Sequence, residues 1–224
     1  MNMHLIQTLL TIHIQKVSLS NIKISIVGLT IIEKTIIYKN NFRIYDLIIS
    51  ILMILLLCPL MILVTIFCFL ESGQPFFVQK RVGRNLKAFY LIKFRTMRLN
   101  TPSLASHLIN KNSVTKFGKI IRLLKIDELP QLINVIKGDM SLVGPRPCLF
   151  NQKKLIDERK KHNIFIVKPG ITGLAQIRGI DMSKPEKLAI LDKLMISKLT
   201  QINYFKYLLL TLFGKGIGDK VKHE

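Results

Sequence analysis

The sequence predicts an α+β protein held to a membrane by one proline-broken helix near its N-terminus, with a small basic domain after it. Three observations lead there. Leu47 to Leu70 reads LIISILMILLLCPLMILVTIFCFL, 24 residues without a charge, which exceeds the roughly 20 needed to cross a bilayer as a helix. The 224-residue chain carries 34 Lys and Arg against 13 Asp and Glu, a formal charge of +21. That imbalance calls for an anionic partner: nucleic acid, a phosphorylated small molecule or an anionic membrane surface. Beyond residue 70, strand-like and helix-like patterns alternate between Gly, Pro and cap signals, as a mixed domain requires.

Taken in order, residues 1–42 form an N-terminal extension of unknown role, in which the β-branched run Ile22 to Tyr38 suggests short strands. Residues 43–70 form the membrane helix. Five basic residues precede its uncharged run, Lys16, Lys23, Lys34, Lys39 and Arg43, and the remaining 29 follow. Basic flanks favour the cytoplasmic side, so a single crossing would place one of them wrongly. A helix that enters, bends and returns satisfies both, and Pro59 near its middle removes a backbone donor where a bend is needed. Proline also occurs in spanning helices, so both topologies fit the residues alone.

Residues 71–224 hold 29 basic and 11 acidic residues, a charge suited to a domain resting on anionic headgroups. Residues 75–98 read as strand, turn and strand about Gly83-Arg84-Asn85, with the second strand near Phe89 to Phe94. Around them gather Lys80, Arg81, Arg84, Lys87, Lys93, Arg95 and Arg98, either a solvated face or a phosphate site. A helix follows over Phe117 to Lys125, capped by Thr115, with Phe117, Ile120, Ile121 and Leu124 as a packing stripe and Arg122 beside it.

The next helix is expected to open near Asp127, with Pro130 in its first turn and Gly138 closing it in a left-handed conformation. Asp127 and Glu128 are then a cap and a first-turn charge, or two carboxylates pointing apart and serving separate chemical roles. Gly144-Pro145-Arg146-Pro147 is a rigid bend that offers Arg146 to a phosphate. Lys168 to Asp181 forms a glycine-punctuated loop presenting Gln176 and Arg178. Ser183 and Glu186 form a capping box for a helix running towards Leu199, along which Asp192 is structural. The run 202–213 either lies at the membrane interface or packs into the core.

The segments SGQPFFVQKRVGR (72–84), FYLIKFRTMR (89–98), DELPQLINVIKGDMSLVGPRP (127–147) and KPGITGLAQIRG (168–179) occur in this order. Together they resemble the bacterial sugar transferase family, also called monotopic phosphoglycosyl transferases or polyisoprenyl-phosphate hexose-1-phosphate transferases. The resemblance covers about residues 43–213. It implies a monotopic protein with a re-entrant, Pro59-broken helix and a cytoplasmic catalytic domain with interfacial helices, at the bacterial inner membrane. The implied reaction moves a sugar 1-phosphate from a UDP-sugar to undecaprenyl phosphate, giving an undecaprenyl-diphospho-sugar and UMP, and initiates surface polysaccharide or glycan synthesis.

By the same resemblance Asp127 is the nucleophile and Glu128 its partner, both are candidate ligands of Mg²⁺ with Glu128 alternatively positioning the acceptor phosphate, and Arg122, Arg146 and Lys93 are the candidates for binding phosphate. Gln176 and Arg178 are candidates for contacts with the donor. The chain departs from the family in having Cys58 rather than Ser before Pro59, and Arg178 and Ile180 where relatives often have Asn or Ser and then Arg. Downstream glycosyltransferases are potential partners. The competing class is a noncatalytic membrane-tethered nucleic-acid-binding or adaptor protein; no nucleic acid is expected, because no reader motif is present and the acidic pair would have no task.

Overall fold

The computed structural model describes residues 42–102 and 111–213, apart from the Lys111 side chain. The expected extension, with its strands over Ile22 to Tyr38, falls outside the described residues. The chain divides after Asn40, and everything below concerns the unit that begins at Asn41.

Helix α1, Arg43–Ser72, is a single 30-residue element closed by Gly73 in the left-handed conformation. It is the one helix among the described residues long and apolar enough to cross a membrane. Its helical assignment continues through Pro59, so the proline can supply a kink without ending the helix. The two ends are buried differently from the middle. Towards the N-terminus, Tyr45, Ile49 and Met53 pack on a core containing Leu91, Val135 and Tyr204. Towards the C-terminus, Val64 and Cys68 are buried with Phe94 and Ile121. Between them Leu55, Leu56, Cys58, Pro59 and Leu60 are exposed.

The beginning of α1 is also fixed by polar contacts. The Arg43 guanidinium donates to the carbonyls of Val135 (2.6 Å) and Ile136 (2.8 Å), at the end of a helix where carbonyls lack intrahelical donors. Buried Asp46 accepts from Ser141 Oγ at 2.9 Å, Leu142 N at 2.8 Å and Tyr204 Oη at 2.7 Å. Two separate elements, the strand that begins at Ser141 and the helix that carries Tyr204, thus meet one carboxylate on the apolar helix.

Strands β1, Phe76–Val82, and β2, Ala88–Phe94, form an antiparallel hairpin with Phe76 opposite Phe94 and Val82 opposite Ala88. The turn lies where Gly83-Arg84-Asn85 predicted it. Helix α2, Lys116–Leu123, begins as expected, with Thr115 Oγ1 accepting from Gly118 N at 3.0 Å. Only part of its stripe packs: Ile121 is buried, whereas Ile120 and Leu124 are 56% and 60% exposed. Leu123, outside the stripe, is 83% exposed.

Helix α3, Gln131–Lys137, starts later than the sequence suggested. Lys125 takes a left-handed conformation (φ 57°), and a separate 3-10 turn, Ile126–Glu128, precedes α3. Asp127 is therefore not the cap of a continuous helix. Gly138 does close α3 in the left-handed conformation.

Strand β3, Ser141–Val143, pairs in parallel with β4, Gly170–Thr172. Their crossing leaves no room for side chains at two glycines: a Cβ on Gly170 would overlap the Gly144 backbone, and one on Gly144 would overlap Lys168 and Gly170. Gly170→Ala is expected to destabilise the domain by on the order of 3 kcal/mol, read as an earlier urea transition in detergent. A parent-like transition would contradict this account of the crossing.

Helices α4 (Lys153–Lys161), α5 (Leu174–Ile177), α6 (Pro185–Ser197) and α7 (Gln201–Leu212) complete the order. The expected capping box on α6 does not form. Ser183 Oγ instead donates to Asp181, and Glu186 pairs with Lys154 at 2.8 Å. Pro185 still occupies the first turn, where its missing N–H is harmless. Helix α7 packs one side into the core, burying Tyr204 and Tyr207, while Ile202, Leu209 and Leu212 are exposed.

Candidate active site

The site is built around the short turn between α2 and α3. A left-handed lysine is an uncommon backbone state, and at Lys125 it stops α2 and turns the chain so that Asp127 and Glu128 occupy one tight 3-10 step. Asp127 is 6% exposed. Ile126, which opens this turn, packs against the buried cluster that includes Val64 and Cys68, so the turn sits against the C-terminal half of α1. Leu129, just after the acids, packs beside both buried clusters that hold α1.

Glu128 faces the bend at Gly144-Pro145-Arg146-Pro147. Arg146 Nη2 donates to Glu128 Oε1 at 2.6 Å, with the side chains 20% and 14% exposed, respectively. At such partial burial a charge-assisted hydrogen bond is stronger than a solvated surface pair. Lys125 lies in the same electrostatic neighbourhood: burial lowers its pKa, Arg146 adds to that effect, and Glu128 opposes it. Nothing in its sequence neighbourhood singled out Lys125, because the signal is a backbone conformation.

Arg122 reaches the other side of the hairpin end, its Nη1 3.4 Å from Thr96 Oγ1. Thr96 is buried, and its carbonyl accepts from Thr115 N at 3.0 Å. Gly118 lets α2 approach this backbone, since a Cβ there would overlap the Thr96 carbonyl. Lys93 lies on β2, its ammonium 5.6 Å from the centre of the Phe77 ring. Strand β2 packs against the acidic turn.

Gln176 and Arg178 are placed elsewhere. Gln176 Nε2 donates to the Ile171 carbonyl at 2.9 Å, and its buried Oε1 has no hydrogen-bond partner. Arg178 is exposed and acts electrostatically on Tyr207, whose pKa is raised by burial and opposed by Arg178. Neither forms a hydrogen bond or ion pair with the acidic turn. They belong to the α5–α7 side of the domain.

Two buried arginines behind Arg146 were not singled out by sequence. Arg81 Nη1 donates to the Pro147 carbonyl at 3.1 Å, while its Nη2 donates to Gln79 Oε1 at 2.6 Å. Arg159 Nη1 donates to the Arg146 carbonyl at 2.8 Å. Its Nε and Nη2 contact Asp192 Oδ2 at 3.0 and 2.7 Å. Asp192 is indeed structural, but its partner lies 33 residues away. Backbone contacts complete the bend, with Gly170 N bonded to Pro145 O and Val82 N to Cys148 O, both at 2.9 Å.

No group of three or more His, Cys, Asp or Glu side chains suited to a metal occurs among the described residues. Asp127 and Glu128 nevertheless supply two hard oxygen donors on one turn. That set suits Mg²⁺, which commonly takes one or two carboxylates and completes its sphere with water and substrate phosphate.

The fold and site define a membrane-associated α+β protein in which one of two adjacent carboxylates, Glu128, pairs with a guanidinium group beside an apolar helix. The chain belongs to the bacterial sugar transferase family, whose sequence profile matches residues 37–215. It is 43% identical over 153 residues to the uncharacterized sugar transferase EpsL of Bacillus subtilis, covering 67% of this chain and 74% of that protein. It is 41% identical over 140 residues to the UDP-N-acetylgalactosamine-undecaprenyl-phosphate N-acetylgalactosaminephosphotransferase of Aeromonas hydrophila, covering 59% and 32% of the two chains. A third relative is the UDP-glucose:undecaprenyl-phosphate glucose-1-phosphate transferase of Caulobacter vibrioides, 40% identical over 143 residues, with coverage of 62% and 54%. The matched region thus spans about a third to a half of the latter two proteins.

Proposed function

We propose that this protein transfers a sugar 1-phosphate from a UDP-sugar to undecaprenyl phosphate at the cytoplasmic face of a bacterial inner membrane. The observation that carries the proposal is the tight turn holding buried Asp127 beside Glu128, with Glu128 paired to Arg146. The named activities of the Aeromonas and Caulobacter relatives supply the acceptor and the donor class.

In the first step, an Asp127 carboxylate oxygen forms a bond to the sugar-bearing phosphorus of the donor. The bond from that phosphorus to the bridging oxygen breaks, and UMP departs with the electron pair. In the second step, a phosphate oxygen of undecaprenyl phosphate attacks the same phosphorus and expels the Asp127 carboxylate, giving undecaprenyl-diphospho-sugar. Arg146 and Arg122 offset the accumulated phosphate charge, and Lys93 adds cationic potential from β2. Asp127 and Glu128 would hold Mg²⁺, which supplies further charge neutralisation at the diphosphate when bound.

A re-entrant α1 suits this chemistry. Both ends pack on the same domain while the segment around Pro59 is exposed, which supports a reading in which both ends lie on one side of the bilayer. The acidic turn lies against the C-terminal half of α1, where a lipid phosphate at the headgroup level can meet a soluble nucleotide sugar. Exposed apolar side chains on α2 and α7 add interfacial contact.

The test is conversion of undecaprenyl phosphate in nanodiscs across a panel of UDP-sugars, with Mg²⁺ or EDTA. One or more donors are expected to give a lipid-linked product and UMP in equal amounts, with EDTA lowering the rate at least about 100-fold. Membrane-inserted, folded protein that releases no UMP with any donor would defeat the proposal.

A further inference from the structure

We infer that Arg81 and Arg159 are positioning residues, acting together as a backbone clamp that holds Arg146 in register with Glu128. The inference rests on the transferase reading above, in which Arg146 meets phosphate. The two guanidinium groups approach consecutive carbonyls of the same bend: Arg159 takes that of Arg146 at 2.8 Å, and Arg81 takes that of Pro147 at 3.1 Å. Both arginines are buried, at 2% and 9% exposure respectively. They come from different elements, Arg159 from α4 and Arg81 from β1.

The choice of arginine has a geometric reason. Arg159 uses Nε and Nη2 for Asp192 and the remaining nitrogen, Nη1, for the Arg146 carbonyl. Arg81 likewise divides its two terminal nitrogens between Gln79 and Pro147. A planar fork fixes the angle between such contacts, whereas a lysine ammonium at the end of a flexible stem does not. Prolines on both sides of Arg146 narrow the backbone freedom of the bend. Fixing the flanking carbonyls then sets the direction in which the Arg146 side chain leaves the backbone. The contact with Glu128 at 2.6 Å is the consequence.

Arg159→Lys and Arg81→Lys retain the buried positive charge while losing the fork. Each is to be made in the parent and in an Arg146→Ala background, in nanodiscs, with thermal unfolding measured alongside. In the parent each is expected to lower kcat by about 10- to 100-fold with little change in the donor KM. In the Arg146→Ala background the same substitutions are expected to cost less than about 2-fold, because the side chain that they position has gone. Equal losses in both backgrounds would overturn the inference, since a general structural defect does not depend on Arg146.

Hydrogen exchange supplies a readout that needs no turnover. In Arg159→Lys the peptide covering residues 144–149 is expected to exchange faster while α6 keeps its protection. Unchanged exchange across that bend would overturn the clamp. A parent inactive with every donor would defeat the transferase reading, and the exchange result would still decide whether the arginines hold the bend.

Discussion

Asp127→Asn is expected to abolish transfer, lowering kcat by at least about 1,000-fold while leaving unfolding and membrane binding close to those of the parent. An amide has nearly the shape of the carboxylate but lacks the charge and nucleophilicity needed to attack phosphorus. The side chain is 6% exposed within a fixed 3-10 turn, so the change should be local. Comparing donor-dependent UMP release with lipid-linked product separates the two steps. Loss of both places Asp127 before UMP departure, whereas normal UMP release with loss of lipid product would move its role to the second step and contradict the assignment.

The second large effect concerns stability. Arg159→Met is expected to destabilise the domain by about 3 to 5 kcal/mol, because it leaves Asp192 buried without its charge partner. The double variant Arg159→Met/Asp192→Leu should recover most of that loss, since it removes the unpaired charge along with its partner. Urea unfolding in one detergent at fixed pH checks both statements.

The pH dependence has a definite sign. Burial pushes the Asp192 carboxyl above its ordinary range, and Arg159 opposes that push. Without Arg159 the folded-state pKa rises further. The folded state then holds the proton more tightly than the unfolded state does, so stability falls as pH rises from the unfolded Asp value towards the raised folded value. The defect of Arg159→Met should therefore shrink on acidification, relative to the parent. A defect independent of pH, or one not recovered by the double variant, would show that the cost lies in packing and not in the stranded carboxylate.

Local signals in the sequence were the readable ones. The uncharged run placed α1, Gly83-Arg84-Asn85 placed the hairpin turn, Thr115 capped α2 and Gly138 closed α3. Each depends on residues adjacent along the chain. Failures arose where a side chain found a different partner or the backbone took a conformation that its residues do not announce. Ser183 and Glu186 had the right spacing for a capping box, but Asp181 and Lys154 captured their side chains. Asp127 read as a helix start because nothing in Lys125 announces a left-handed backbone.

The site divides in the same way. Asp127, Glu128 and Arg146 were visible through the family motifs, and the structure brings Glu128 and Arg146 together. The packing residues behind them were not visible. Arg81 looked like one member of a basic face, and Asp192 had no identifiable partner, because both depend on contacts between elements far apart in sequence. The apolar stripe of α2 followed helical spacing, yet spacing alone does not distinguish a core-facing side chain from an exposed one. The exposure of Ile120 and Leu124 required the neighbouring elements to be known.

The most direct test of the central claim is mass spectrometry of the protein after brief exposure to its donor with Mg²⁺ and without undecaprenyl phosphate. The parent should gain the mass of one sugar phosphate on the peptide containing Asp127, and lose it when the acceptor is added. Asp127→Asn should gain none. Turnover by the parent through direct transfer, with no adduct at any time during rapid quenching and with activity retained in Asp127→Asn, would contradict the covalent mechanism.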